Sequence, residues 1–162
     1  MSGALKFEIS LTPVSLAEII ESVIDNLQSD TDLHTIVTKI PSDLKPVPAD
    51  RDKMTQVFIN LINNAIKFSP EGGEIEIEII VMRKMLLCLI KDQGIGIAEE
   101  GLSKIFEKFY RVDNSDTYEI PGTGLGLPIV KHIISSHGGE ITVKSEINKG
   151  SEFILSLPYD ES

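Results

Sequence analysis

Asparagine, lysine, aspartate and glycine recur in three blocks whose order and chemistry suit a single site. The first is Asn60-Leu61-Ile62-Asn63-Asn64-Ala65-Ile66-Lys67, the second Asp92-Gln93-Gly94-Ile95-Gly96, and the third Gly122-Thr123-Gly124-Leu125-Gly126-Leu127. On a helix, Asn60 and Asn64 share a face, and Lys67 follows three residues on. Asparagine is a middling helix former, so three of them in five positions is a local cost with no packing return. An amide oxygen is a hard ligand suited to Mg²⁺, and a lysine in the next turn reaches a phosphate. Asp92 ends an apolar run and precedes two glycines. A carboxylate there can accept a hydrogen bond from an exocyclic amine such as that of adenine, while bare backbone passes close to a flat ring. The third block opens a helix, whose free amides and positive dipole end can hold phosphates. It is neither the P-loop pattern nor the dinucleotide fingerprint. Each block alone also reads as ordinary structure: a solvated helix face, a tight turn, a flexible connection. The ordered set is what points to a nucleotide.

The elements that must position these residues follow from periodicity. Leu16, Ile19, Ile20, Val23, Ile24 and Leu27 predict a helix capped by Ser15, preceded by turn signals over residues 10–15. Residues 35–40 read as a strand, closed by a proline-rich turn through Pro46 and Pro48. Asp50 caps a long helix with Met54, Val57, Phe58, Leu61, Ile62, Ala65 and Ile66 as its apolar stripe. Residues 74–81 alternate acidic and β-branched side chains, a strand with one wet face, and residues 85–91 suit a central strand. A short helical piece is expected near 102–106. The polar stretch 112–117 then reads as a mobile loop that orders as a lid over ligand. Residues 125–136 return to helix, with Pro128 tolerable only in the first turn. Strands over 140–145 and 151–157 finish the chain. The class is α+β: a two-layer sandwich with helices covering one sheet face.

A chain of 162 residues, 41% hydrophobic and 25% charged, is one domain with a single core. Its apolar runs are too short to cross a membrane, and no signal-peptide apolar region follows Met1. Cys88, the only cysteine, lies in an apolar run and reads as a buried thiol in a reducing compartment. The formal net charge of −10 argues against a general nucleic-acid surface. It does not exclude an anionic nucleotide. Distant charges are screened over about 8 Å at physiological salt, while a metal ion or neighbouring lysine acts at contact distance. A locally positive pocket with a metal requirement is expected. His34, His132 and His137 have no metal-ligand spacing and read as structural.

Together the blocks resemble the catalytic, ATP-binding domain of sensor histidine kinases, part of the superfamily that includes DNA gyrase, a class of heat-shock chaperones and the MutL proteins. Residues 56–69 resemble the family's asparagine box, 92–96 its first glycine box, 105–113 its phenylalanine box and 122–127 its second glycine box. Lys149-Gly150-Ser151-x-Phe153 is similar to its closing strand signature. The resemblance runs over residues 11–158, leaving 1–10 as a linker remnant and 159–162 as a tail. It implies a mixed sheet of about five strands on three helices, with an ATP lid loop.

The resemblance also implies roles. Asn64 would ligate Mg²⁺ and Asn60 would face the phosphates. Lys67 would bind phosphate, and Asp92 would recognise the adenine amine. Gly94 and Gly96 would permit close approach of the base. Phe106 and Phe109 would anchor the lid, Tyr110 would lie near the nucleotide, and Arg111 would be a phosphate-facing cation. Gly122, Thr123, Gly124, Leu125 and Gly126 would cradle the phosphates. Related ATPases carry a glutamate one turn before the metal asparagine to activate water. Asn60 stands there instead and takes no proton at neutral pH, which favours a kinase. No histidine here sits in a phosphoacceptor-like segment. The chain is therefore expected to be a monomeric catalytic domain with ATP and Mg²⁺ as cofactors. Its partners would be a histidine-bearing dimerisation domain and a response regulator, in the cytoplasm or on the cytoplasmic side of a membrane-bound parent kinase, and without direct membrane contact of its own. The alternatives are a serine kinase of the anti-sigma-factor type and a non-catalytic nucleotide-binding module.

Overall fold

In a computed structural model, residues 9–102, 104–107 and 126–160 are described, apart from the side chain of Glu100. The elements run β1 (Thr12–Val14), α1 (Leu16–Gln28), β2 (His34–Lys39), β3 (Val47–Ala49), α2 (Arg51–Lys67), β4 (Gly73–Met82), β5 (Met85–Asp92), α3 (Glu99–Leu102), α4 (Gly126–Ser136), β6 (Glu140–Glu146) and β7 (Gly150–Pro158). Five strands form a mixed sheet in the order β2-β4-β5-β7-β6. β2 and β4 are parallel, so the chain must cross over between them, and α2 makes that crossover. β4–β5, β5–β7 and β6–β7 are antiparallel. The expected α+β sandwich, with β5 in the middle of its sheet, is therefore the fold observed.

Alternation decides which face is covered. On β4, Ile75, Ile77 and Ile79 are buried, while the glutamates between them face outward. Leu86, Cys88 and Ile90 of β5 and Phe153, Leu155 and Leu157 of β7 continue the inner face. Against it pack Ile19, Ile20 and Val23 of α1, Val57, Phe58 and Leu61 of α2, and Val130, Ile133 and Ile134 of α4. Burial without a cationic neighbour pushes the Cys88 thiol up to about 12, so it is an inert core group.

The segments expected to be turns at 10–15 and 46–48 are instead a two-stranded ribbon. Thr12 pairs with Ala49 and Val14 with Val47, antiparallel. Pro13 pairs with Pro48, and two residues without a backbone donor can face each other only at a non-hydrogen-bonded position of an antiparallel ladder. The short helix also differs: it covers Glu99–Leu102, just before the expected 102–106.

Both predicted caps are present. The Ser15 hydroxyl accepts from Glu18 N–H at 3.2 Å, and Asp50 Oδ1 accepts from Lys53 N–H at 3.2 Å. Asp50 Oδ2 also accepts from Ser10 N–H at 2.9 Å, and these bonds lower the carboxyl below its usual range. Asp50 N–H donates to His137 Nε2 at 2.9 Å, while His137 Nδ1–H donates to the Ile133 carbonyl at 2.8 Å. The ring, accepting at one nitrogen and donating at the other, thus brackets the end of α4 to the start of α2. Replacing it by a shape-filling apolar residue, His137→Phe, leaves Asp50 N–H without its acceptor. The expected cost is about 1–3 kcal/mol, checked by urea unfolding.

Candidate functional site

Helix α2 serves the core and the site at once. Met54, Val57, Phe58, Leu61, Ile62 and Ala65 are buried. Asn60 and Asn64 lie along the border of that stripe and are half-buried, and Lys67 in the last turn is exposed. The structure therefore brings the predicted amide pair and the lysine to one edge of the helix. Gly126, the first residue of α4, reaches the same place: a side-chain carbon added there would lie 3.9 Å from Asn60 Cγ. Pro128 falls in the first turn of α4, as its missing donor requires.

At the C-terminal end of α2 stands Asp92, the last residue of β5. It is 4% exposed, on the inner face of the sheet. Its Oδ1 accepts from Gly94 N–H at 2.8 Å, and the backbone of Ser151, its partner on β7, also favours the ionised form. Desolvation outweighs both effects and the nearby His34, pushing the carboxyl from its ordinary 3.8 up to about 6. A buried carboxylate with an unfavourable ionisation is suited to receive a donor from outside the protein.

The glycines beside it are held without room for side chains. A Cβ on Gly94 would meet the Phe68 carbonyl oxygen at 1.9 Å. Gly96 has φ +75°, and a Cβ there would meet the Glu146 carbonyl oxygen at 2.1 Å. Ile95 N–H donates to the Phe68 carbonyl at 2.9 Å, and Asn148 N–H to the Ile95 carbonyl at 2.7 Å. The glycine loop is thus suspended between the end of α2 and the β6–β7 hairpin.

His34 is buried below this loop. Its Nε2–H donates to the Ser69 carbonyl at 2.7 Å, and Nδ1 is hydrogen-bonded with the Thr31 hydroxyl at 2.6 Å. It is a structural histidine, as its sequence context suggested. Phe106 packs edge-to-face on Phe153 with centroids 6.4 Å apart, and the Lys131 ammonium lies 5.7 Å from its ring centre. That fastens the first aromatic of the phenylalanine box to β7 and α4.

Phe109, Tyr110, Arg111, Gly122, Thr123, Gly124 and Leu125, and the expected lid, lie outside the described residues. Sequence reasoning missed the Phe68 carbonyl and the Ser151 backbone. Backbone groups carry no residue-type signal, although the closing strand signature does contain Ser151.

The match to known proteins is specific. The model for the histidine kinase-, DNA gyrase B- and HSP90-like ATPases covers residues 49–161. The chain belongs to this family. Sensor histidine kinase WalK of Bacillus subtilis (strain 168) is 38% identical over 151 residues, 91% of this chain and 25% of WalK. Sensor protein SrrB of Staphylococcus aureus (strain NCTC 8325 / PS 47) is 48% identical over 112 residues, 69% of this chain and 19% of SrrB. The chain thus spans a quarter or less of these relatives. The catalytic domain of histidine kinase ThkA superposes with a TM-score of 0.80 at 32% identity, covering 93% of this chain and 96% of that one. Full-length ShkA, solved in complex with AMPPNP, gives a TM-score of 0.85 at 28% identity, covering 99% and 33%. The kinase members of the family, and not the serine-kinase alternative, are the relatives these matches support.

Asp92 ties stability to pH. Its folded pKa lies above the unfolded value, so the folded state gains from the neutral carboxyl at low pH. That gain is lost as pH rises from about 4 to about 6. The difference amounts to about 3 kcal/mol. Asp92→Asn is therefore expected to be more stable than wild type by up to about 3 kcal/mol at pH 7.5, with no gain at pH 3.5. Urea unfolding at the two pH values checks this; an equal gain at both would contradict the burial of a charge.

Proposed function

We propose that this domain binds ATP with Mg²⁺ and presents the γ-phosphoryl group to a histidine on a separate helical dimerisation domain, from which a response regulator is then served. The observation that carries this reading is the buried Asp92 carboxylate beside Gly94, which is packed on the end of the helix bearing Asn60, Asn64 and Lys67. The residues suit an adenine nucleotide. Asp92 offers an acceptor for an exocyclic amine, and the loop at Gly94 and Gly96 has backbone where side chains would otherwise stand.

They also suit a metal that depends on the nucleotide. Among the described residues no group of three or more His, Cys, Asp or Glu side chains could hold an ion. Asn64 alone would be a weak site, and Mg²⁺ characteristically takes one or two protein oxygens with substrate phosphates and water. Lys67 would add a phosphate-facing cation, with Arg111 in the same role and Gly126 and the preceding glycines offering amides. Bound ATP supplies a transferable γ-phosphoryl group. The protein's part is to position it and neutralise charge, since Asn60 offers no base for activating water. Phosphotransfer to a histidine nitrogen, already nucleophilic when neutral, needs no such base. We place the domain on the cytoplasmic side, where ATP is available.

Calorimetric titration with a non-hydrolysable ATP analogue, with and without Mg²⁺, tests the site. Wild type is expected to bind in a Mg²⁺-strengthened manner. Asp92→Asn should lose at least about tenfold in affinity, as for a lost hydrogen bond to a charged group. Asn64→Asp should change the Mg²⁺ dependence by altering ligand charge. Because the adenine amine needs the ionised carboxylate, affinity should rise with pH through about 6 in wild type and stay flat in Asp92→Asn. Label from γ-labelled ATP should appear on a supplied histidine-bearing helical domain. Transfer to serine, or none beyond binding, would favour one of the alternatives.

A further inference from the structure

The loop that carries Gly94 and Gly96 is tied down by backbone groups and by the side chains of Asp92, Gln93 and Ser145, of which Ser145 alone reaches in from β6. Ile97 N–H donates to the Ser145 hydroxyl at 2.7 Å. The same hydroxyl donates to the Gly150 carbonyl at 2.9 Å and lies 2.8 Å from Ser151 Oγ. A hydroxyl has one proton, and Ser145 commits it to Gly150, so Ser151 must be the donor in the serine pair. Ser145 thus accepts from Ile97 and Ser151 and donates to Gly150, using its full capacity.

Those partners bracket Asp92. Gly150, with φ +104°, packs so closely that a Cβ on it would meet the Asp92 carbonyl oxygen at 2.1 Å. Ser151 pairs with Asp92 across β5–β7, and its backbone favours the ionised carboxylate. Ile97 closes the loop that leaves Asp92, and it is buried, so its N–H has no ready access to water if the hydroxyl is removed. Ser145 itself is only half-buried and sits opposite Ser151 in the β6–β7 register. For core filling alone an apolar residue would serve at this inner-face position, as Ile141 and Val143 do on the same strand.

We propose that Ser145 is a positioning residue for the base end of the nucleotide site. It sets the distance between the glycine loop and the strand that holds the Asp92 carboxylate, without touching the nucleotide itself. The inference rests on the nucleotide reading given above. Its consequence is base selectivity: a loosened Asp92 loses its aim at an amine before it loses general affinity for phosphates.

The test measures binding of AMP-PNP and GMP-PNP, with Mg²⁺, to wild type, Ser145→Ala, Ser145→Cys and Ser145→Thr, well below their unfolding temperatures. Ser145→Ala is expected to bind AMP-PNP about tenfold more weakly and to show a reduced preference over GMP-PNP. Ser145→Thr, which keeps the hydroxyl, should restore both. If Ser145→Ala does not fold, Ser145→Cys, nearly the same size but a poor acceptor, provides the same readout. A variant that is less heat-stable yet binds AMP-PNP with wild-type affinity and preference would overturn the positioning role and leave the nucleotide reading intact. No binding by wild type would overturn the nucleotide reading and this inference with it.

Discussion

Everything in the site depends on the close approach of the Asp92–Gly96 loop to the end of α2. Ile95 N–H bonds to the Phe68 carbonyl, and Gly94 lies so near that oxygen that any side chain would collide with it. Phe68 is the C-cap of the helix whose edge carries Asn60, Asn64 and Lys67. One short contact therefore sets the separation between the buried Asp92 carboxylate and the helix edge that we propose faces phosphate. A collision of this kind cannot be relieved by a rotamer change, because both partners are backbone. Gly94 is thus required by geometry, independent of any ligand.

The second constraint is electrostatic. Folding places Asp92 where ionisation is disfavoured, although the chain already carries a net charge of −10. A protein selected for stability alone would put a neutral group at the inner end of β5, as it does at Cys88 and Ile90 on the same strand. The backbone at Gly94 and Ser151 offsets part of the desolvation and leaves the rest uncompensated. The uncompensated part is available to a ligand that donates to the carboxylate, since such a donor stabilises its charged form. Stability and binding oppose one another at this residue, the pattern expected where a local rule of folding is broken for function.

Much of this was legible in the sequence because it depends on side-chain type. The α2 stripe, the Ser15 and Asp50 caps and the alternation of β4 are written in residue identity, and each appears where expected. The three blocks were legible because Asn60, Asn64, Asp92 and the glycines are poor choices for packing. What was missed depends on partners distant in the chain. Pro13 and Pro48 signal a turn locally, and only their mutual pairing makes a ribbon of β1 and β3. The role of His137 has no local signal; it lies in Asp50, 87 residues away, which donates to it. Ser145 has no local peculiarity at all; its meaning lies in Ile97, 48 residues before it.

These distant ties also explain why one small domain can hold a site of such extent. α2 is clamped at its start by Asp50 through His137, at its middle by the buried stripe, and at its end by the glycine loop. A helix fixed at three places cannot slide or rotate without breaking the core, so Asn60 and Asn64 inherit the rigidity of Phe58 and Leu61 beside them. Gly126, near Asn60, brings the start of α4 to the same edge, and α4 is itself held by His137 at its far end. The side chains that would meet phosphate are therefore positioned by the same packing that stabilises the fold. A change in the core under α2 should act on the site before it unfolds the domain: Leu61→Ala, which opens a cavity costing about 2–5 kcal/mol, is expected to weaken nucleotide binding while the protein remains folded.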